Sequence, residues 1–189
     1  MRADRHSNMD ETTTASVQDS AEGTGSDVVD LTTRPLIAPI AVAIAIADQL
    51  TKLAICGRFG LGRYDHITVI PDFFDIRKVF NYGAAWGMMS GERVMLSAVA
   101  AGMLVLLWKY RRDFIKAGKL CRIGIGLLAG GVTGNLIDRV KLGYVVDFLD
   151  FHWKNVYTFP TFNIADTAIC VGILLYFIST ILAPKQKRE

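Results

Sequence analysis

Three aspartates stand where chemistry could be done: Asp138, Asp147 and Asp166. Asp138 closes a glycine-rich run, Asp147 lies between Val146 and Phe148, and Asp166 precedes a long uncharged stretch. A charge at mid-bilayer depth costs roughly 2.5 to 3.5 kcal/mol, so acids kept in such runs point to a function. Carboxylates gathered at one apolar depth cannot all ionise. Burial raises a carboxyl pKa, and a second negative charge raises one member further. A pair sharing one proton results, one member able to take a proton from water and the other to donate. The two titrations then belong to the pair rather than to either acid.

Asp166 falls near the start of a predicted helix, whose N-terminus favours the ionised form and suits a base. Asp138 has Asn135 and Arg139 at helical spacing and reads as a neutralised structural member. Plainer readings stand beside these. Asp166 fits the N3 acid of a capping box headed by Asn163, and Asp147 fits an outward residue on a strand. Asp48 and Lys52, four apart on one helical face, form either a salt bridge steadying a helix end or a support for a polar site.

The elements that must position these residues are membrane spans. Of 189 residues 51% are hydrophobic, which argues against an ordinary soluble domain. Four apolar runs are predicted to cross: 36–55, 94–108, 123–137 and 167–183, the last closed by Pro184. Gly126, Gly130 and Gly134 recur every fourth residue, the spacing that lets membrane helices touch, and Asp138 continues the row. His66–Ile70 and Phe73–Phe80 around Pro71-Asp72 predict a short hairpin, and 140–162 reads as a loop. Residues 1–34 form a polar, acidic tail expected to be disordered, 35–184 the membrane domain, and 185–189 a basic tail.

The net charge of +3 becomes informative once divided along the chain. Lys109, Arg111, Arg112, Lys116, Lys119 and Arg122 crowd one loop against Asp113 alone, which marks it as cytoplasmic rather than as a nucleic-acid surface. Both termini are then inside. The polar ends of spans one and three, and the starts of two and four, meet near the outer interface. Cys56, Cys121 and Cys170 offer no CxxC pair or zinc spacing and read as small buried hydrophobes. On residues alone, a protease, a proton-coupled transporter or flippase, and a scaffold all remain open.

A resemblance separates them. Asp48-Gln49-x-x-Lys52, Phe80-Asn81-x-Gly83-Ala84-Ala85, Gly130-Gly131-x-x-Gly134-Asn135-x-x-Asp138-Arg139, Val145-Val146-Asp147-Phe148 and Phe162-Asn163-x-Ala165-Asp166 occur in this order. Together they resemble lipoprotein signal peptidase, the type II signal peptidase of bacteria, over roughly 36–183. The resemblance implies a four-span membrane aspartyl endopeptidase, mainly α, with a small extracytoplasmic β element and an active site at the outer face of the plasma membrane. It implies a catalytic dyad of Asp147 and Asp166, with Asp48, Lys52, Asn81, Asn135, Asp138, Arg139 and Asn163 supporting the site or contacting substrate. The implied substrates are diacylglyceryl-modified prolipoproteins, cut before the lipidated cysteine. The partners are those substrates and membrane lipid. No cofactor, metal or nucleic acid is implied, and a monomer is expected. Trp86 stands where the family more often has phenylalanine.

Overall fold

A computed structural model describes residues 36–59, 66–83, 92–154 and 156–182. The acidic N-terminal tail, the Ala84 to Gly87 part of the aromatic motif, Pro184 and the basic C-terminal tail lie outside the described residues. The elements run α1 (Ile37–Phe59), β1 (His66–Ile70), β2 (Phe74–Asn81), α2 (Arg93–Lys109), α3 (Arg111–Lys116), α4 (Lys119–Lys141), β3 (Val145–Trp153), β4 (Tyr157–Thr158) and α5 (Ile164–Leu182).

Three of the helices, α1, α4 and α5, are long and apolar enough to cross a membrane. At 23, 23 and 19 residues, with a rise of ~1.5 Å per residue, they reach about 28 to 35 Å. The 17 residues of α2 give about 25 Å by the same rise, short of the hydrocarbon thickness of about 30 Å. Large apolar side chains such as Val42, Ile46, Leu50 and Leu53 on α1, and Leu174, Phe177 and Ile181 on α5, are exposed. Stripes of that size suit lipid as the solvent.

The centre of the bundle is α4, packed against α1, α2 and α5. Its glycines make that possible. A Cβ on Gly130 would meet the Ala41 carbonyl oxygen at 2.7 Å, and one on Gly134 would meet Asp48 Oδ2 at 2.5 Å. The predicted small-residue row therefore does bring helices into contact, and its partner is α1. A second pair, Gly124 and Gly172, lets α4 approach α5 in the same way.

The predicted hairpin forms, within one residue of its expected bounds, but it belongs to a larger sheet. Strand order is β1-β2-β3-β4, all antiparallel. The expected loop at 140–162 contains β3, whose burial pattern is almost continuous from Val145 to Asp150. An apolar run buried on both faces lacks the alternation that marks a strand in sequence. Register between β2 and β3 slips between Ile76 and Val79, so Arg77 and Lys78 together oppose Phe148. Such a bulge turns the following residues over. Val79 and Asn81 thereby share a face with Asp147 and Val145.

Candidate active site

The start of α5 shows how the site is assembled. Asn163 caps the helix: its Oδ1 accepts from the Asp166 N–H at 2.9 Å, and its own N–H donates to Asp166 Oδ2 at 3.2 Å. The capping box read from spacing is real, yet Asp166 is more than a cap. Its Oδ1 accepts a 2.7 Å bond from Asn135 Nδ2 on α4. A third group closes this helix end, because the Ala165 N–H donates to Asp48 Oδ1 at 3.0 Å. Helix starts leave N–H groups without intrahelical partners, and here the Asn163 cap and the Asp48 carboxylate on α1 accept from them.

Asp147 is 1% exposed, so the reading of it as an outward strand residue is overturned. The strand faces the helix bundle, and the β2 bulge delivers a partner to it. Asn81 Nδ2 donates to Asp147 Oδ2 at 2.9 Å, and Asn163 Nδ2 donates to Asp147 Oδ1 at 2.7 Å. One residue, Asn163, therefore touches both acids, Asp147 through its amide and Asp166 through its backbone. Burial pushes the Asp147 carboxyl up to about 7, the negative charge of Asp166 adds to this, and the bonds from Asn81 and Asn163 oppose it.

Behind the two acids lies a charged knot. Lys52 Nζ is 2.8 Å from Asp48 Oδ2, 2.9 Å from Asp138 Oδ2 and 3.0 Å from Asn135 Oδ1. Its three donors all find acceptors, as a buried ammonium requires. Gln49 Nε2 donates to Asp138 Oδ1 at 2.8 Å, and the Val146 N–H donates to Asp138 Oδ2 at 3.1 Å. The expectation that Arg139 neutralises Asp138 needs correcting. Neighbours one apart on a helix point different ways, and Arg139 Nη2 reaches the Gly83 carbonyl instead, at 3.1 Å. The salt bridge of Asp48 and Lys52 and their support of a polar site prove to be one arrangement.

All nine residues singled out from the sequence lie in this network or at its edge. Gln49 stands in the Asp48-Gln49-x-x-Lys52 motif but was given no role of its own. Phe159, Pro160 and Thr161 were missed, because nothing in Phe-Pro-Thr marks an extended strap. A cavity of about 1010 Å³ opens onto the acids, lined by Asn81, Arg139, Asp147, Asp166, Phe159 and Phe162 among others. Cys170 is exposed and lines the same cavity, while Cys121 is buried, so the reading of all three cysteines as buried hydrophobes holds only in part.

Among the described residues one group has metal-ligand spacing: Asp75, Asp150 and His152, with ligand atoms within 4.8 Å of one another. It lies on the sheet face opposite Asp147, and Arg77 already pairs with Asp150.

Residues 40–182 match the family model described as Signal peptidase (SPase) II. This chain belongs to the signal peptidase II family. Lipoprotein signal peptidases are 39% identical over 147 residues in Symbiobacterium thermophilum and 37% identical over 151 in Bacillus subtilis. These alignments take in 78% and 79% of this chain and 95% and 96% of the relatives. A bacterial membrane enzyme solved by the in meso method at 2.3 Å resolution superposes with a TM-score of 0.68 at 37% identity. That superposition covers 80% of this chain and 92% of the other. A second such structure, at 1.9 Å, gives 0.64 at 38% identity, over 77% and 92%. The signal peptidase II match spans α1 to α5, so the whole network described above lies inside it.

Proposed function

We propose that this signal peptidase II is an aspartyl endopeptidase in which Asp147 and Asp166 are the catalytic acids. As a member of the family it is a membrane protease that removes signal peptides from prolipoproteins. The observation that carries the aspartyl reading is Asn163, which hydrogen-bonds to the buried Asp147 on one side and to Asp166 at a helix start on the other.

The roles divide as follows. Asp166 accepts two hydrogen bonds at the N-terminus of α5, a setting suited to an anion. It takes a proton from water as that water attacks the scissile carbonyl. Asp147, whose carboxyl stays protonated up to about 7, donates to the carbonyl oxygen. As the tetrahedral intermediate collapses, the leaving amine takes a proton from the pair, and water restores the shared-proton state. The chemistry needs no metal. Asn81, Asn135 and Asn163 aim the acids, and Asp48, Lys52 and Asp138 tie β3 and the start of α5, which carry them, to α1 and α4.

The cavity is mostly apolar, with its polar groups, Asn81, Asn135, Arg139 and Thr161 among them, set around the acids, which fits a diacylglyceryl-modified cysteine with its flanking peptide. The topology in this reading has four crossings, including α2, with both termini cytoplasmic. The basic residues from Lys109 to Arg122 support that orientation. It puts the acids at the outer interface, where a lipid-anchored substrate presents its scissile bond.

The test is cleavage of a diacylglyceryl-modified prolipoprotein by purified Asp147→Asn and Asp166→Asn proteins in detergent or vesicles. Each should lose roughly 10²- to 10⁴-fold in turnover, the scale of acid-base catalysis. Parent-level cleavage by either variant removes that residue from the mechanism.

A further inference from the structure

The strap from Phe159 to Asn163 joins β4 to α5 and has two duties. Phe159 to Phe162 wall the cavity, and Asn163 holds both acids. Its ends are stitched to β3 by backbone bonds. The Phe159 N–H donates to the Phe151 carbonyl at 2.8 Å, and the Phe162 N–H donates to the Leu149 carbonyl at 3.1 Å. Between them Pro160 has no N–H to give, so the middle of the strap depends on a side chain.

That side chain is Thr161. Its hydroxyl donates to Asp150 Oδ1 at 3.3 Å and accepts from Arg77 Nη2 at 3.4 Å. Arg77 Nε lies 3.0 Å from Asp150 Oδ2, an ion pair whose N–H is not aimed along the contact. Asp150 is 3% exposed, and a carboxylate so buried needs its partners. Strand alternation puts Asp150, three residues from Asp147 on β3, and Arg77, next to Ile76 on β2, on the sheet face turned away from Asp147. Arg77 and Asp150 therefore do not reach the reacting atoms directly, and the Thr161 hydroxyl, on the cavity wall, is turned to Asp150 and Arg77.

We propose that Arg77, Asp150 and Thr161 form a clamp that fixes the strap on β3 and so positions Asn163 between the two acids. The clamp rests on the reading of Asp147 and Asp166 as the catalytic pair, and its members are positioning residues. Loosening it lets the Asn163 amide withdraw from Asp147, and the cavity wall moves with it. The charged groups facing Asp147 from the packed elements are Asp166 on α5, Lys52 on α1 and Arg139 on α4, and none of them belongs to the clamp.

The experiment compares Thr161→Val, which keeps shape but loses the hydroxyl, with Thr161→Ser, which keeps it. Cleavage of a diacylglyceryl-modified prolipoprotein is measured across pH and normalised to folded protein. Thr161→Val should lower kcat/KM by about 5- to 30-fold, the scale of one or two lost hydrogen bonds. Thr161→Ser should stay within about twofold of the parent, the range of a neutral change. In Thr161→Val the alkaline limb of kcat should also move to higher pH, because a bond that helped Asp147 release its proton is gone. Asp150→Asn combined with Thr161→Val should be no worse than the poorer single variant, since the two act as one unit.

Parent-level kcat/KM in Thr161→Val overturns the clamp. So does equal loss in Thr161→Ser, or a fall in folded protein with the alkaline limb unmoved. Asp147→Asn, run beside them, keeps the two ideas apart. If it cleaves like the parent, the catalytic pair is wrong; if it is inactive while Thr161→Val is unaffected, only the clamp is wrong.

Discussion

Asp147 sits at the junction of burial, a neighbouring acid and two amide donors, and its pH behaviour follows from those contacts. An unfolded chain gives up this proton near 3.8, whereas the folded one holds it to about 7. Between those values the native state carries the extra proton. Its contribution is therefore fully present below the unfolded value and is lost as pH rises towards 7. Melting temperature followed from about pH 5 to pH 8 should decline, and Asp147→Asn should flatten that decline. A slope unchanged by the substitution would show that the carboxyl is not held protonated. Catalysis should respond at the same pH. If Asp147 is the donor, kcat falls as pH passes about 7, giving the alkaline limb of a bell whose two values belong to the pair.

At the scale of elements, the acids are held by close contact between helices rather than by any strand or loop alone. Gly134 is the contact in that arrangement that bears most directly on the charged knot, because any Cβ there enters the space of the Asp48 carboxylate. Asp48 in turn closes the α5 helix start and pairs with Lys52. Gly134→Ala should cost about 1 to 3 kcal/mol through overpacking. It should also lower cleavage by more than that loss of folded protein explains, since it moves Asp48 and the start of α5 together. Thermal unfolding in detergent and cleavage per folded molecule measure the two parts. Gly102 is a control on α2 with nothing within 4 Å of an added Cβ, and Gly102→Ala should leave both readouts unchanged.

For the whole molecule the question is how many times the chain crosses and which way it faces. Among the described residues three helices have the length for a crossing, while α2 is short and has no buried residue. If α2 crosses as well, both termini face the cytoplasm and the acids face outward. Reporters that are active on one side only should then agree when fused at either terminus, and one placed in the first loop, at 60–65, should give the opposite answer. Terminal fusions that disagree would remove the four-crossing arrangement, and two that both report the outer side would reverse the orientation. Helices of about 25 Å can cross where the bilayer thins or flanking residues reach for the interface, and Lys109 and Arg111 stand at one end of α2 to do so.

Several features were legible in the order of residues because they depend on local rules. The apolar runs that became α1, α4 and α5, the glycine row on α4 and the Asn163 cap follow from hydropathy, helical spacing and unsatisfied N–H groups. The β1–β2 hairpin follows from its turn and flanking residues. Other features depended on which surface met which. β3 is buried on both faces, so no alternation betrayed it. Asn81 meets Asp147 only because a bulge elsewhere in β2 turns it over. Lys52, rather than the adjacent Arg139, neutralises Asp138 because α1 and α4 touch through glycine. The strap and its clamp join residues 84 apart in the chain. Local spacing determined which residues could share a helical face, while contacts between distant segments decided which donor each buried acid received.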